Sequence, residues 1–177
     1  GKFLGAFALI VIGLLPTLLY IVAVNSLADQ SSLDLGSTLG SYLGLLFLAA
    51  AYASIGIFAS ALTNNQIVAF LLAVAGCLLF YIGFEGIADF TSSDFIDKLG
   101  MSSHYKSMSR GVLDIRDILY FLSVTIFFIV LTIKGIKTEK QGKKEFIPLT
   151  ILFLGLMAAN MFSGSINKRF DLTEDSR

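Results

Sequence analysis

Apolar positions in this chain come in unbroken blocks, not in the one-sided stripes of a soluble helix or the alternation of a half-buried strand. Five such blocks stand out: Phe3–Val24, Leu43–Leu62, Ile67–Phe84, Ile118–Ile133 and Phe146–Phe162. Crossing a hydrocarbon core of about 30 Å takes roughly 20 helical residues, with about 17 as a lower bound. The first three blocks reach that length. The last two are marginal, and Tyr120 and Lys134 extend the fourth by snorkelling toward the interfaces. Lipid offers backbone N–H and C=O groups no partner, so each block has to be a helix. The alternation of a membrane β-barrel is absent. The pattern predicts an all-α polytopic membrane protein, a transmembrane helical bundle of about five spans.

The polar stretches between blocks set the orientation. Lys134–Glu145 holds five lysines in twelve residues, whereas Asn25–Tyr42 has no basic residue and two acidic ones, Asp29 and Asp34. Lys and Arg accumulate in cytoplasmic loops, so Lys134–Glu145 is predicted inside. Counting back, Glu85–Asp117 lies outside, the uncharged Thr63–Gln66 turn inside, and Asn25–Tyr42 outside. Gly1 and Lys2 are then cytoplasmic, and the Asn167–Arg177 tail is outside. Glu85–Asp117 carries four basic and six acidic residues, which is only a weak counterweight. Glu85 and Asp117 flank span ends, at positions water is expected to reach.

Within the outer loop, Ser93 reads as a helix N-cap and Gly100 as a helix end. Phe95, Ile96 and Leu99 would share one face. The result is a short amphipathic extracytoplasmic helix that lies on the membrane surface or caps the bundle, the alternative being an ordinary solvated loop. A second turn is expected over Tyr105–Arg110. Gly36, Gly40 and Gly44 lead into the second block at four-residue spacing, and Ala49, Ala53, Gly56 and Ser60 continue a small-residue stripe. Such spacing lets a neighbouring helix approach backbone to backbone, the main attraction available in lipid. Packing against neighbouring spans of the same chain is the expected use, with a dimer seam as the alternative. Pro16 inside the first block predicts a kink.

Composition changes this picture mainly by exclusion. Of 177 residues 55% are hydrophobic and 15% charged, and the net charge is zero. No bulk attraction to nucleic acid follows. Phe3–Val24 is about twice the length of a secretory apolar region and lacks a cleavage pattern, so it is not read as a signal peptide. A first residue of Gly1 reads as the interior of a longer protein. The single cysteine, Cys77, is expected to be an apolar packing residue. His104 is the one histidine, which removes HExxH and clustered His/Cys metal sites. It is expected to be a solvated loop residue. No GxSxG turn or Ser–His–Asp grouping is present. Gly100–Ser107 has a superficial likeness to a phosphate loop, but Tyr105 stands where the second glycine is needed. No span interior contains an ionisable residue of the sort that marks a proton or ion pathway. Neither catalytic residues nor a cofactor are expected.

Longer strings carry a family resemblance. Gly1–Phe7 resembles the start of the third span of type-2 ABC exporter (ABC-2) permeases. Leu35–Tyr52, Ile55–Ser60, Asn65–Phe70, Phe80–Gly86 and Ser109–Ser123 resemble GldF, the permease subunit of the gliding-motility ABC transporter. The likeness is nearly continuous from Gly1 to about Lys134. From the fifth block onward, with Arg169–Asp175 as the telling string, the chain looks like the beginning of the partner subunit GldG, which has a large extracytoplasmic domain. On this basis residues 1–134 are the C-terminal four-span portion of a permease and 135–145 a basic cytoplasmic linker. Residues 146–177 are then a fifth span and the start of a GldG-like region. The first two spans and the coupling helix of a whole permease are missing from the match.

The resemblance implies a permease subunit of the cytoplasmic (inner) membrane that is not itself an enzyme. A separate ABC ATPase subunit hydrolyses ATP, and the permease turns that closure into rearrangement of its spans. Implied partners are that ATPase, a second permease in a homo- or heterodimer, a GldG-like extracytoplasmic subunit or domain, and the lipid bilayer. In the family, outer amphipathic helices before the last permease span close the extracellular side, and Asp94–Arg110 matches them. The contrasting expectation is a membrane scaffold that anchors a motility or secretion apparatus without moving a solute.

Overall fold

A computed structural model of the chain describes residues 1–27, 35–92, 94–138, 151, 155 and 169–171. Helix α1 covers Lys2–Leu27, α2 covers Leu35–Leu62, and α3 covers Gln66–Leu78. A π-helical turn at Leu79–Gly83 joins α3 to α4, Phe84–Thr91, so one rod of 26 residues runs from Gln66 to Thr91. Two short helices follow, α5 at Asp94–Asp97 and α6 at Met101–Met108, then strand β1 at Val112–Asp114 and helix α7 at Ile115–Thr138. Strand β2 is Arg169–Asp171. Four of these stretches are long and apolar enough to cross a membrane: Lys2–Val24, Gly36–Leu62, Gln66–Thr91 and Ile115–Gly135. The molecule is an all-α helical membrane protein of the class the hydropathy pattern predicts. The fifth block, Phe146–Phe162, lies outside the described residues except for Ile151 and Gly155, which are helical. Ser93 and most of Lys134–Glu145 also lie outside them.

Helices α2 and α7 form the centre. Leu48, Ala51 and Ile55 of α2 are buried together with Tyr120, Phe121, Val124, Phe128 and Leu131 of α7. In lipid there is little hydrophobic drive between helices, so close packing supplies the attraction. Phe128 is its aromatic hub, with ring centroids 5.6 Å from Phe58 of α2 and 5.5 Å from Phe80 of the π-helical turn. Helices α1 and α3 are apolar all round and bury none of their spanning residues inside the chain. One side of α3 packs on α2, with Gly76 facing Ile55 and Cys77 on the core, and the exposed apolar side chains of both helices are the surface a spanning helix presents to lipid. The Tyr42 hydroxyl donates to Thr17 Oγ1 at 2.9 Å, tying α2 to α1 one residue past Pro16.

Loops are shorter than the block boundaries suggest. Helix α2 begins at Leu35, about two turns before the apolar block, so Gly36 and Gly40 are helical residues and not an approach to the span. The third block extends through Glu85 to Thr91 and ends at Ser92, which takes a left-handed conformation with φ 50°. The Thr63–Gln66 turn is capped by Asn65, whose Oδ1 accepts from the backbone of Ile67 at 2.9 Å and Val68 at 3.4 Å.

Strands β1 and β2 pair antiparallel, with Leu113 opposite Phe170 and Asp114 opposite Arg169. By the helical rise, α7 carries the chain about 36 Å away from Ile115, yet Arg169 lies beside Asp114. The tail is therefore at the end from which α7 sets out. The pairing makes a direct prediction. With Cys77 replaced by serine, Leu113→Cys and Phe170→Cys face each other at a spacing a disulfide accepts. Mild oxidation is expected to join them, read as a mobility shift on non-reducing gels. Failure to cross-link would place the tail elsewhere.

Candidate functional site

The polar residues collect where α5, α6 and β1 fold over the ends of α2, α4 and α7. Helix α6 is the keystone of this cap. Met101, Tyr105 and Met108 recur at helical spacing; Met101 and Met108 are fully buried, and Tyr105 packs against the core. This burial explains why the helix starts at Met101, four residues before the turn expected at Tyr105. Gly100–Ser107 is thus part of a helix and its lead-in, not a loop wrapped for phosphate. In the preceding α5 segment Ile96 and Leu99 are half-buried, and Leu99 packs on the core. They cap the bundle. The side chain of Phe95 lies outside the described set.

Each long helix that reaches the cap is tied to it by polar contacts. From α2, Ser37 Oγ and Ser41 Oγ both donate to the backbone carbonyl of Ser109, at 3.0 and 3.2 Å. From α4, the Glu85 carboxylate accepts from Ser102 Oγ at 2.5 Å and Lys106 Nζ at 2.6 Å. From α7, Asp117 Oδ1 lies 2.6 Å from His104 Nδ1, and the Tyr120 hydroxyl donates to the Leu99 carbonyl at 2.6 Å. His104 Nε2 lies 2.9 Å from the Lys98 carbonyl, and its ring stacks on Tyr120 with centroids 4.0 Å apart. Asp114 caps α7 by accepting from the Arg116 N–H at 3.0 Å.

Two sequence expectations are corrected here. His104 is not a solvated loop residue: it sits on α6 with a side chain 15% exposed and both ring nitrogens bonded. Asp117 is not open to water: its side chain is 8% exposed, and Oδ2 is buried without a hydrogen-bond partner. The reason in both cases is that α6 crosses the first turns of α7 and covers them. Glu85 does remain partly exposed, at 34%.

The small residues divide into two sets. Gly36 and Gly40 are buried, and a Cβ on Gly40 would fall 2.5 Å from the Met108 carbonyl oxygen and 2.9 Å from Gly111 Cα. Gly44 faces Met108 and Tyr105, with the nearest atoms 3.3 Å from an added Cβ. Gly40 and Gly44 receive the cap of the same chain. Gly111 adds a turn with φ 81°, closed by its N–H to the Met108 carbonyl at 3.0 Å. The buried line of α2 then continues through Leu48, Ala51, Ile55 and Ala59, not through Ala49, Ala53 and Gly56. Ala49 and Ala53 are half-buried, and a Cβ on Gly56 would meet open space.

Lys106 is held above the ordinary lysine range, first by its hydrogen bond to Glu85. A cation whose folded value is raised stabilises fully below its unfolded value and loses that contribution as pH rises through the folded one. Lys106→Met is therefore expected to lower thermal stability by a constant amount through neutral pH, with the gap closing under strongly alkaline conditions. Because Lys106 is solvent-exposed, the gap should also shrink in 1 M salt. A pH and salt series of unfolding temperatures for both proteins checks this.

Among the described residues, no three His, Cys, Asp or Glu side chains are grouped as metal ligands. The cap's chemistry is that of hydrogen bonds and protons that hold helices together. No family model, curated protein or solved structure matches the chain.

Proposed function

We propose that this chain is part of the transmembrane permease subunit of an ABC-2 type export system of the cytoplasmic membrane. In this reading the cap is the outer closure of the translocation unit, and a separate ATPase subunit supplies the energy. The observation that carries the reading is the cap's connectivity. Helices α5 and α6 lie in sequence between the rod Gln66–Thr91 and α7, yet α6 and its C-cap Ser109 are bonded to α2, α4 and α7 together. An element tied to several spans at one end responds to any change in their relative tilt. That is the property an outer gate needs when the driving event occurs at the opposite membrane face. The resemblance to GldF over residues 1–134 supports the same assignment and adds a link to gliding motility. The lipid-facing surfaces of α1 and α3 leave room for a second permease.

The test is biochemical. The full-length protein is expected to copurify with an ABC ATPase subunit from its native membrane, and to alter that subunit's ATP hydrolysis when both are reconstituted. A protein that never associates with a nucleotide-hydrolysing partner would overturn the reading. A second reading, a non-transporting scaffold for a motility or secretion apparatus, draws on the β1–β2 pairing. In that reading the pairing of Arg169–Asp171 with Val112–Asp114 would hold a GldG-like segment at the cap. Catalytically dead ATPase partners separate the two: lost function supports the exporter, and retained function supports the scaffold.

A further inference from the structure

We infer that the His104–Asp117 pair is a proton-operated latch that ties α6 to both α7 and the α5–α6 turn, with both contacts made when the pair carries two protons and one of them lost when it gives one up. The inference is independent of whether the chain transports anything.

It follows from counting donors and acceptors. His104 Nδ1 faces the Asp117 carboxylate at 2.6 Å, and Nε2 faces the Lys98 carbonyl at 2.9 Å. Both partners are acceptors, and a neutral imidazole has one N–H. The arrangement is satisfied only with two protons on the pair, either as an imidazolium beside a carboxylate or as a neutral ring beside a protonated Asp117. Remove one proton to water and one of the two contacts fails. If Nδ1 keeps its hydrogen, the Nε2 lone pair points at the Lys98 carbonyl and the α5–α6 turn is repelled. If Nε2 keeps it, Asp117 is left as a buried carboxylate with no donor, because Oδ2 already has none. Either outcome is costly in a poorly solvated site.

The other ionisable groups around α6 make contacts apart from the pair, and Arg116 Nε is buried without a hydrogen-bond partner. On α4, Glu85 is bonded to Lys106 and Ser102. On α7 the Tyr120 hydroxyl is bonded to Leu99, and Arg116 receives the Asp114 cap through its backbone. Asp97 contributes its backbone carbonyl to Ser103 Oγ at 2.9 Å. Tyr42 of α2 is bonded to Thr17. Tyr105 is half-buried on the core, and Tyr81 and Tyr52 lie on the π-helical turn and α2. Among these side chains His104 alone is an imidazole, with each of its two ring nitrogens facing an acceptor. Contact with both α7 and the α5–α6 turn lets that single proton act on the whole cap.

The experiment is hydrogen exchange on the full-length protein in lipid nanodiscs, across a pH series from about 5 to 9. Exchange of the α6 amides is expressed relative to α7 amides between Phe121 and Leu131 in the same sample, which cancels the intrinsic pH dependence. Relative protection of α6 is expected to fall roughly tenfold or more as pH rises, the scale of one charge-assisted hydrogen bond. His104→Gln, which cannot ionise, is expected to flatten the profile, whereas Glu85→Gln should lower protection evenly and leave the pH dependence intact. A flat wild-type profile would overturn the proposal without any variant. So would a slope that persists in His104→Gln or disappears in Glu85→Gln.

Discussion

Gly40→Ala is expected to dislodge the cap, at a cost of about 1–3 kcal/mol typical of overpacking. Gly40→Val is expected to cost more. The added Cβ would sit 2.5 Å from the Met108 carbonyl oxygen and 2.9 Å from Gly111 Cα. Both are backbone atoms, so no rotamer change relieves the clash. Neither can the turn retreat cheaply. Gly111 closes it with a positive φ, and the Ser109 carbonyl is gripped by Ser37 and Ser41. The comparison is Gly56→Ala, where nothing lies within 4 Å of the new carbon. There the helix gains intrinsic propensity, and stability should hold or rise by up to about 1 kcal/mol. Thermal unfolding in detergent, with limited proteolysis between Ser92 and Gly111 as a local readout, gives the two values. Equal effects at the two glycines would mean that close approach at Gly40 is not what seats the cap.

His104→Leu is the second large effect, expected to destabilise by about 3 kcal/mol. Removing one member of a buried pair leaves the other charge uncompensated. Asp117 is already short of a donor at Oδ2, so no second bond softens the loss. The diagnostic is the double substitution. With Asp117→Leu added, the unpaired carboxylate is gone, and most of the lost stability should return. Additive losses in the double variant would instead assign His104's value to its stacking on Tyr120, 4.0 Å between centroids. Unfolding free energies of the wild type, both single variants and the double variant close the cycle.

How much of this was readable from the chain differs sharply between the rods and the cap. Hydropathy located the spanning helices because lipid imposes one requirement on every residue in turn, and a run such as Phe3–Val24 satisfies it without reference to anything distant. Span ends moved, since a helix continues past its apolar block wherever the next turn finds a partner: the first turns of α2 meet the cap through Ser37, Gly40, Ser41 and Gly44. The glycine spacing pointed to close packing. Its continuation through Ala49, Ala53 and Gly56 runs beside the most buried line and not along it, because small size marks a residue that can approach a neighbour but not one that faces it. Leu48 and Ile55, larger than Ala49 or Ala53, turned out to line the buried face.

The His104–Asp117 contact was the least legible feature. Thirteen positions separate the two residues, and neither side chain belongs to a recognised spacing. Their meeting depends on α6 lying across α7. A signal did exist in the spacing of Met101, Tyr105 and Met108, an apolar stripe inside a polar stretch. In hydropathy it is diluted by Ser102, Ser103, Ser107 and Ser109 around it. Ser102 and Ser103 look like solvated loop residues in composition, yet each hydroxyl is spent on a specific acceptor, Glu85 and the Asp97 carbonyl respectively. A helix this polar is held in place by directional bonds, and hydropathy does not weigh those.

The pairing of Arg169–Asp171 with Val112–Asp114 has a mechanical consequence. Strand β1 runs directly into α7, so a tilt or screw motion of that rod pulls on β1 first. Because the two strands are laced in register, the pull passes to Asp171 as a displacement along the chain rather than fading in a slack connection. Residues Arg169–Asp171 are thereby coupled to α7 as a lever is to its axle.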